Sequence, residues 1–134
     1  MPHLLCKRCS RALTRECRWG GPDDYNRLAE VEVAAVTVGT MVVLEDEDRG
    51  VVTGPGGVVV TKLYSPAGAI AINPDDLVPG TLRSAGLDNG CCGSDGLDGP
   101  NRACVCGLTV ATQWSDCWTQ AEIRLLPNAV VVQD

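Results

Sequence analysis

The stretch from Gly90 to Gly107, GCCGSDGLDGPNRACVCG, carries Cys91, Cys92, Cys104 and Cys106, half of the chain's eight cysteines. Thiolates bind metals, exchange disulfides or act as nucleophiles, and spacing helps to separate these uses. Near the N-terminus Cys6 and Cys9 form C-x-x-C in CKRC. Two intervening residues let the chain fold into a tight knuckle with both sulfurs facing one point. Tetrahedral zinc, with sulfur at about 2.3 Å, takes two of its corners from such a pair. Cys104 and Cys106 make a second close pair, shorter by one residue, with Gly107 relieving backbone strain just after it. Cys117 follows in SDCW, and Cys17 stands alone in TREC.

The adjacent Cys91 and Cys92 constrain how these thiols divide. Neighbouring Cα atoms sit about 3.8 Å apart, whereas a disulfide wants roughly 4.4–6.8 Å, so a bridge between them is strained. In an extended backbone consecutive side chains point to opposite sides, which assigns the two thiols to different centres. The preferred partition is Cys92, Cys104, Cys106 and Cys117 around one zinc ion, with Cys6, Cys9, Cys17 and Cys91 around a second. His3 is the substitute for Cys17. The alternative is a single split zinc ribbon, in which Cys6 and Cys9 meet Cys104 and Cys106 across the domain. Either one or two ions result. An ion held by four thiolates carries a net charge of −2, and Lys7, Arg8 and Arg11 around the first knuckle offset part of it. The sharper reading of the same residues is a phosphate grip on nucleic acid.

Other chemistry is thinly represented. His3 is the only histidine, so Ser-His-Asp and Cys-His arrangements lack their base. H-E-x-x-H, G-x-S-x-G and a phosphate loop are missing. The knuckle CKRC lacks the preceding strand and following helix of a thioredoxin-like motif. Asp95, Asp98 and Asn101 in SDGLDGPN do not follow the calcium-loop spacing, and turn chemistry is the expected use of that loop. It would aim Cys92 and Cys104 at one ion. Trp114 and Trp118 flank Cys117 and are expected to shield a metal site, at least one of them doing so.

These ligands need a scaffold. At 134 residues the chain makes one domain, 1–134, large enough to bury roughly two-thirds of its unfolded surface. Phe is absent and Val, Leu and Ala abound, so the core is aliphatic. From Val31 onward VEVAAVTV, MVVLED, GVVT, GVVVTK and AIAI are runs of strand length, punctuated by EDEDRG, TGPGG and SPAG. The segment GGPDDYNRL reads as a turn that opens a short helix capped by Asp23 or Asp24, and a helix over 24–36 competes with the first strand. AEIRLL alternates as a strand broken at Pro127. The predicted architecture is mainly β, with short antiparallel strands and zinc-ribbon-like knuckles at both ends. It divides into an N-terminal knuckle (1–20), a sheet core (30–82), a C-terminal cysteine module (86–120) and closing strands (121–134).

Net charge is −6. Residues 1–27 carry six Lys or Arg against three acids, a local +3, which leaves −9 for the remainder. An acidic majority weighs against a broad nucleic-acid footprint. No run approaches the roughly 20 apolar residues of a membrane span, and MPHLLCKRCSR lacks the pattern of a signal peptide. A cytoplasmic, reducing setting follows, where cysteine clusters are more often metal ligands than disulfides.

The final third, GCCGSDGLDGPNRACVCG followed by VATQWSDCW, resembles a cysteine-rich signature of small bacterial proteins that also begin with a C-x-x-C knuckle. The resemblance spans about 30 residues plus that knuckle and implies no activity. The expected function is therefore that of a non-enzymatic, zinc-stabilised scaffold that contacts a protein partner. Metal handling or thiol sensing, and a nucleic-acid-binding ribbon, are the alternatives.

Overall fold

A computed structural model describes the chain from Met1 to Asp134, apart from the side chain of Val52. Eleven strands follow in order: β1 (His3–Cys6), β2 (Arg18–Trp19), β3 (Thr40–Leu44), β4 (Asp48–Thr53), β5 (Val59–Ser65), β6 (Ala69–Ile72), β7 (Leu82–Ser84), β8 (Arg102–Cys104), β9 (Thr109–Trp114), β10 (Glu122–Leu125) and β11 (Val130–Gln133). Helix is confined to three single turns, Pro22–Asp24, Pro55–Gly57 and Pro74–Asp76. Each opens on proline, whose fixed φ suits the first helical position.

Seven strands form one sheet in the order β2-β3-β6-β10-β9-β8-β7, while β4 pairs with β5 and β1 with β11 in separate two-stranded sheets. All pairings between these strands are antiparallel except the short β2–β3 contact, a parallel exception to the expected pattern. The main core contains Leu4, Leu13, Met41, Ile70, Ile72, Ile123 and Leu125, together with Cys6, Cys17 and Cys104. Period-2 alternation carries Ile70 and Ile72 into it, whereas Ala71 joins Val42, Ala35 and Val36 in a smaller cluster. Both faces of AIAI are therefore covered, which explains an unbroken apolar run in the middle of the sheet.

Two expectations fail over 24–38. The helix over 24–36 does not form, and VEVAAVTV is not a strand. Glu32 has φ of 65°, which breaks an extended run, and Val31, Val33 and Val38 remain exposed. The segment instead lies beside 119–121, joined by Glu32 N–H to Thr119 O (2.8 Å), Ala35 N–H to Ala121 O (3.1 Å) and Ala121 N–H to Val33 O (2.9 Å). Its β-propensity has no full neighbour to pair with. The preceding turn begins at Pro22, and Asp24 reaches back from its end to accept from Gly21 N–H at 3.0 Å rather than capping a longer helix.

Strand alternation ordinarily leaves charged residues in water. On β10 it does not, because hairpin β4–β5 and Tyr25 cover the second face. Glu122 and Arg124 are buried. Arg124 donates to Glu122 Oε2 (2.6 Å), Asp48 Oδ2 (2.6 Å), Ser65 Oγ (3.1 Å) and the Tyr25 hydroxyl (3.0 Å), and its guanidinium lies 4.4 Å from the centre of the Trp114 ring. Burial together with the Glu122 charge pushes the Tyr25 hydroxyl up to about 12. The network is satisfied on every side, as buried charge requires.

Among the described residues no helix is long and apolar enough to cross a membrane. His3 sits within β1, paired with Gln133, so the N-terminus is anchored by a ladder running from His3↔Gln133 to Cys6↔Val130.

Candidate metal centre

The first knuckle grows out of the end of β1. Cys6 N–H donates to Arg11 O and Ser10 N–H to Cys6 O, each at 2.8 Å, and Ser10 turns the chain with φ of 64°. The second grows out of the end of β8 on the same plan. Cys104 N–H donates to Leu108 O and Gly107 N–H to Cys104 O, again at 2.8 Å, with φ of 103° at Gly107. The C-x-C turn is thus the C-x-x-C turn with one residue fewer. Gly107 announces its left-handed position in the sequence. Ser10 in the corresponding place gives no such signal and was missed.

The two turns meet. Sγ of Cys6 lies 3.6 Å from Sγ of Cys106, and Sγ of Cys9 lies 3.6 Å from Sγ of Cys104. All four sulfurs fall within 4.8 Å of one another. A tetrahedral ion with bonds of about 2.3 Å has sulfur–sulfur edges of about 3.8 Å, so the donor set fits such an ion. Cys6 and Cys104 are buried, Cys106 half-buried and Cys9 exposed. The N–H of Leu108 helps to hold the Cys106 thiol down to about 7. Burial pushes the Cys104 thiol up to about 12, against the N–H of Cys106. A methyl group at Gly107 would lie 3.7 Å from Arg83 Nη2 and 3.8 Å from Arg8 Nη1. Two guanidiniums therefore flank this knuckle, where they can offset thiolate charge.

Cys91, Cys92 and Cys117 form a second group within the same 4.8 Å limit. Sγ of Cys92 lies 2.9 Å from Sγ of Cys117, and the hydrogen bond between the two thiols together with burial pushes the Cys117 thiol up to about 12. Asp116 organises the group. Its carboxylate accepts from the N–H groups of Cys92 (2.7 Å), Cys117 (2.8 Å) and Cys91 (3.3 Å). Glycine makes this packing feasible: a Cβ at Gly90 would lie 1.7 Å from Gly93 O, and one at Gly93 would lie 2.7 Å from Ser115 O.

This arrangement corrects the preferred partition. Cys92 and Cys104 belong to different groups, Cys91 and Cys92 belong to the same one, and the alternative set of Cys6, Cys9, Cys104 and Cys106 is the grouping found. The reason lies in the backbone at 91–93, which bends rather than extends, so alternation does not separate the adjacent thiols. Cys17 joins neither group. It is buried in the main core, its thiol donates to Arg15 O at 3.4 Å, and burial pushes it up to about 11. His3 does not replace it in either group. All eight cysteines are free of disulfides.

The loop between the groups behaves as turn chemistry requires. Asp95 accepts from Leu97 N–H (3.0 Å), Asp98 pairs with Lys62 and Asn89 at 2.8 Å each, and the Asn101 side chain bonds the Gln113 backbone. Trp114 packs edge-on against Tyr64 and beside Arg124. Trp118 is 76% exposed, so it does not bury the second group. No family model, curated protein or solved structure matches the chain.

Proposed function

We propose that Cys6, Cys9, Cys104 and Cys106 hold one zinc ion, and that the protein is a non-enzymatic, zinc-stabilised interaction module of a reducing compartment. The observation that carries this reading is the convergence of four sulfurs, from turns about a hundred residues apart, at the spacing of a tetrahedral ion. Four thiolates fill every corner of a tetrahedral ion, so the ion would be structural, with no position open to substrate. Arg8 and Arg83 flank the knuckle, which favours charge compensation over a phosphate grip for this part of the basic surface. For the partner, hairpin β4–β5 displays Val51, Val59, Val60 and Leu63 to solvent, apolar surface of the kind that docks proteins.

The ion would not hold the termini alone. The β1–β11 ladder already joins them, and buried neutral thiols behave as small apolar groups. Native mass spectrometry beside an elemental assay tests the reading, with one zinc per chain expected. Chelation should then remove hydrogen-exchange protection around 6–11 and 104–108 while the seven-stranded sheet persists. Freshly purified reduced protein without metal would overturn the proposal.

A further inference from the structure

The second thiol group departs from the first in ways that bear on its chemistry. Cys92 and Cys117 approach to 2.9 Å, well inside the edge of about 3.8 Å that a tetrahedral ion imposes. Cys91 and Cys92 are exposed and Cys117 half-buried, so small molecules reach them. Only three sulfurs gather here, and the adjacent Asp116 carboxylate is engaged by three backbone N–H groups. Those bonds clamp the backbone of 91–92 to that of Cys117. The proximity is therefore fixed by main chain, not by side-chain rotamers alone.

We propose that Cys92 and Cys117 form a stoichiometric thiol–disulfide exchange site that reacts with small, accessible disulfides. The thiolate of one cysteine attacks a sulfur of the external disulfide RSSR, whose S–S bond breaks and releases one RSH. The resulting mixed disulfide is attacked by the second cysteine, which expels the other RSH and closes the Cys92–Cys117 bond. Two electrons pass from the protein thiols to the external disulfide, and both thiol protons leave on the two RSH products. An excess of RSH reverses each step. A bridge from Cys91 to its neighbour Cys92 is strained, and the 2.9 Å approach pairs Cys92 with Cys117 instead. The site shares no cysteine with the proposed zinc centre.

The test uses the full chain incubated with graded ratios of oxidised to reduced glutathione, then quenched with N-ethylmaleimide, with zinc assayed in parallel. The expected result is loss of two alkylatable thiols, recovery of a peptide linking Cys92 to Cys117, and unchanged zinc. Cys91→Ser should retain the bridge. Cys92→Ser and Cys117→Ser should each abolish it and leave the remaining partner as a glutathione adduct. Adducts without a bridge, a link through Cys91 or the first group, or an ion on the three thiols that blocks their alkylation would each overturn the proposal. Bridge formation in zinc-free protein would overturn only the zinc reading, and zinc without a bridge only the exchange site.

Discussion

The four-thiol group grows from strand ends, whereas the three-thiol group hangs on loops, and their sulfurs are spaced accordingly. In the first, β1 and β8 deliver two hairpin turns of matching hydrogen-bond pattern, and the sulfurs stand 3.6 Å apart across the gap. In the second, one carboxylate gathers three N–H groups and brings two sulfurs to 2.9 Å. Ladders fix the backbone at a distance and leave room for an ion between turns. Loops drawn onto a shared acceptor close that room. The same side chain is thus offered to an ion in one place and to a neighbouring thiol in the other, according to what holds its backbone.

Substitutions should separate the groups most clearly at Cys104. Cys104→Ser removes a buried ligand of the proposed zinc ion, and loss of a structural metal belongs among the largest single-site effects, about 4–5 kcal/mol. The urea midpoint and zinc content should fall together. Cys92→Ser, on the exposed loop, should leave zinc intact and shift stability by no more than about 0.5 kcal/mol. Equal losses from both would mean that the two groups do not differ in what holds them. Gly90→Ala comes next. The overlap with Gly93 O forces the loop open, so glutathione-driven bridging should drop severely while zinc stays bound. Asp116→Ala should slow bridging by a smaller factor, read as the rate of loss of alkylatable thiols, because the three N–H groups can turn to water.

The smallest effect concerns the tie between the second group's loop and hairpin β4–β5. Lys62 and Asn89 hold the Asp98 carboxyl below its ordinary value. Its contribution is therefore full above the unfolded value of about 3.9 and is lost as pH falls through the depressed folded value. The stability gap between the native chain and Asp98→Asn should be open near neutrality and narrow in acid, as followed by urea midpoints. A gap that does not change with pH would show that the Asp98 carboxylate does not stabilise the loop.

Much of this architecture was legible because its signals are local. MVVLED, GVVVTK, AIAI and AEIRLL became β3, β5, β6 and β10, with the break at Pro127 before β11. The close pairs Cys6–Cys9 and Cys104–Cys106 also read correctly as knuckles. Which knuckle meets which was not legible, since it depends on β1 pairing with β11 and β8 with β7 and β9, and short strands carry little information about distant partners. The vicinal pair misled because the alternation rule assumes extended backbone, whereas Gly90 and Gly93 allow a bend. The burial of Glu122 and Arg124 was equally invisible, because their partners Tyr25 and Asp48 lie 97 and 76 positions away.

X-ray absorption at the zinc edge of the reduced full chain would reveal the ion's ligands directly. The expected result is a single shell of four sulfurs at about 2.3 Å, unchanged after the Cys92–Cys117 bridge is closed with oxidised glutathione. A shell containing nitrogen or oxygen, or one that loses sulfur when that bridge forms, would contradict it.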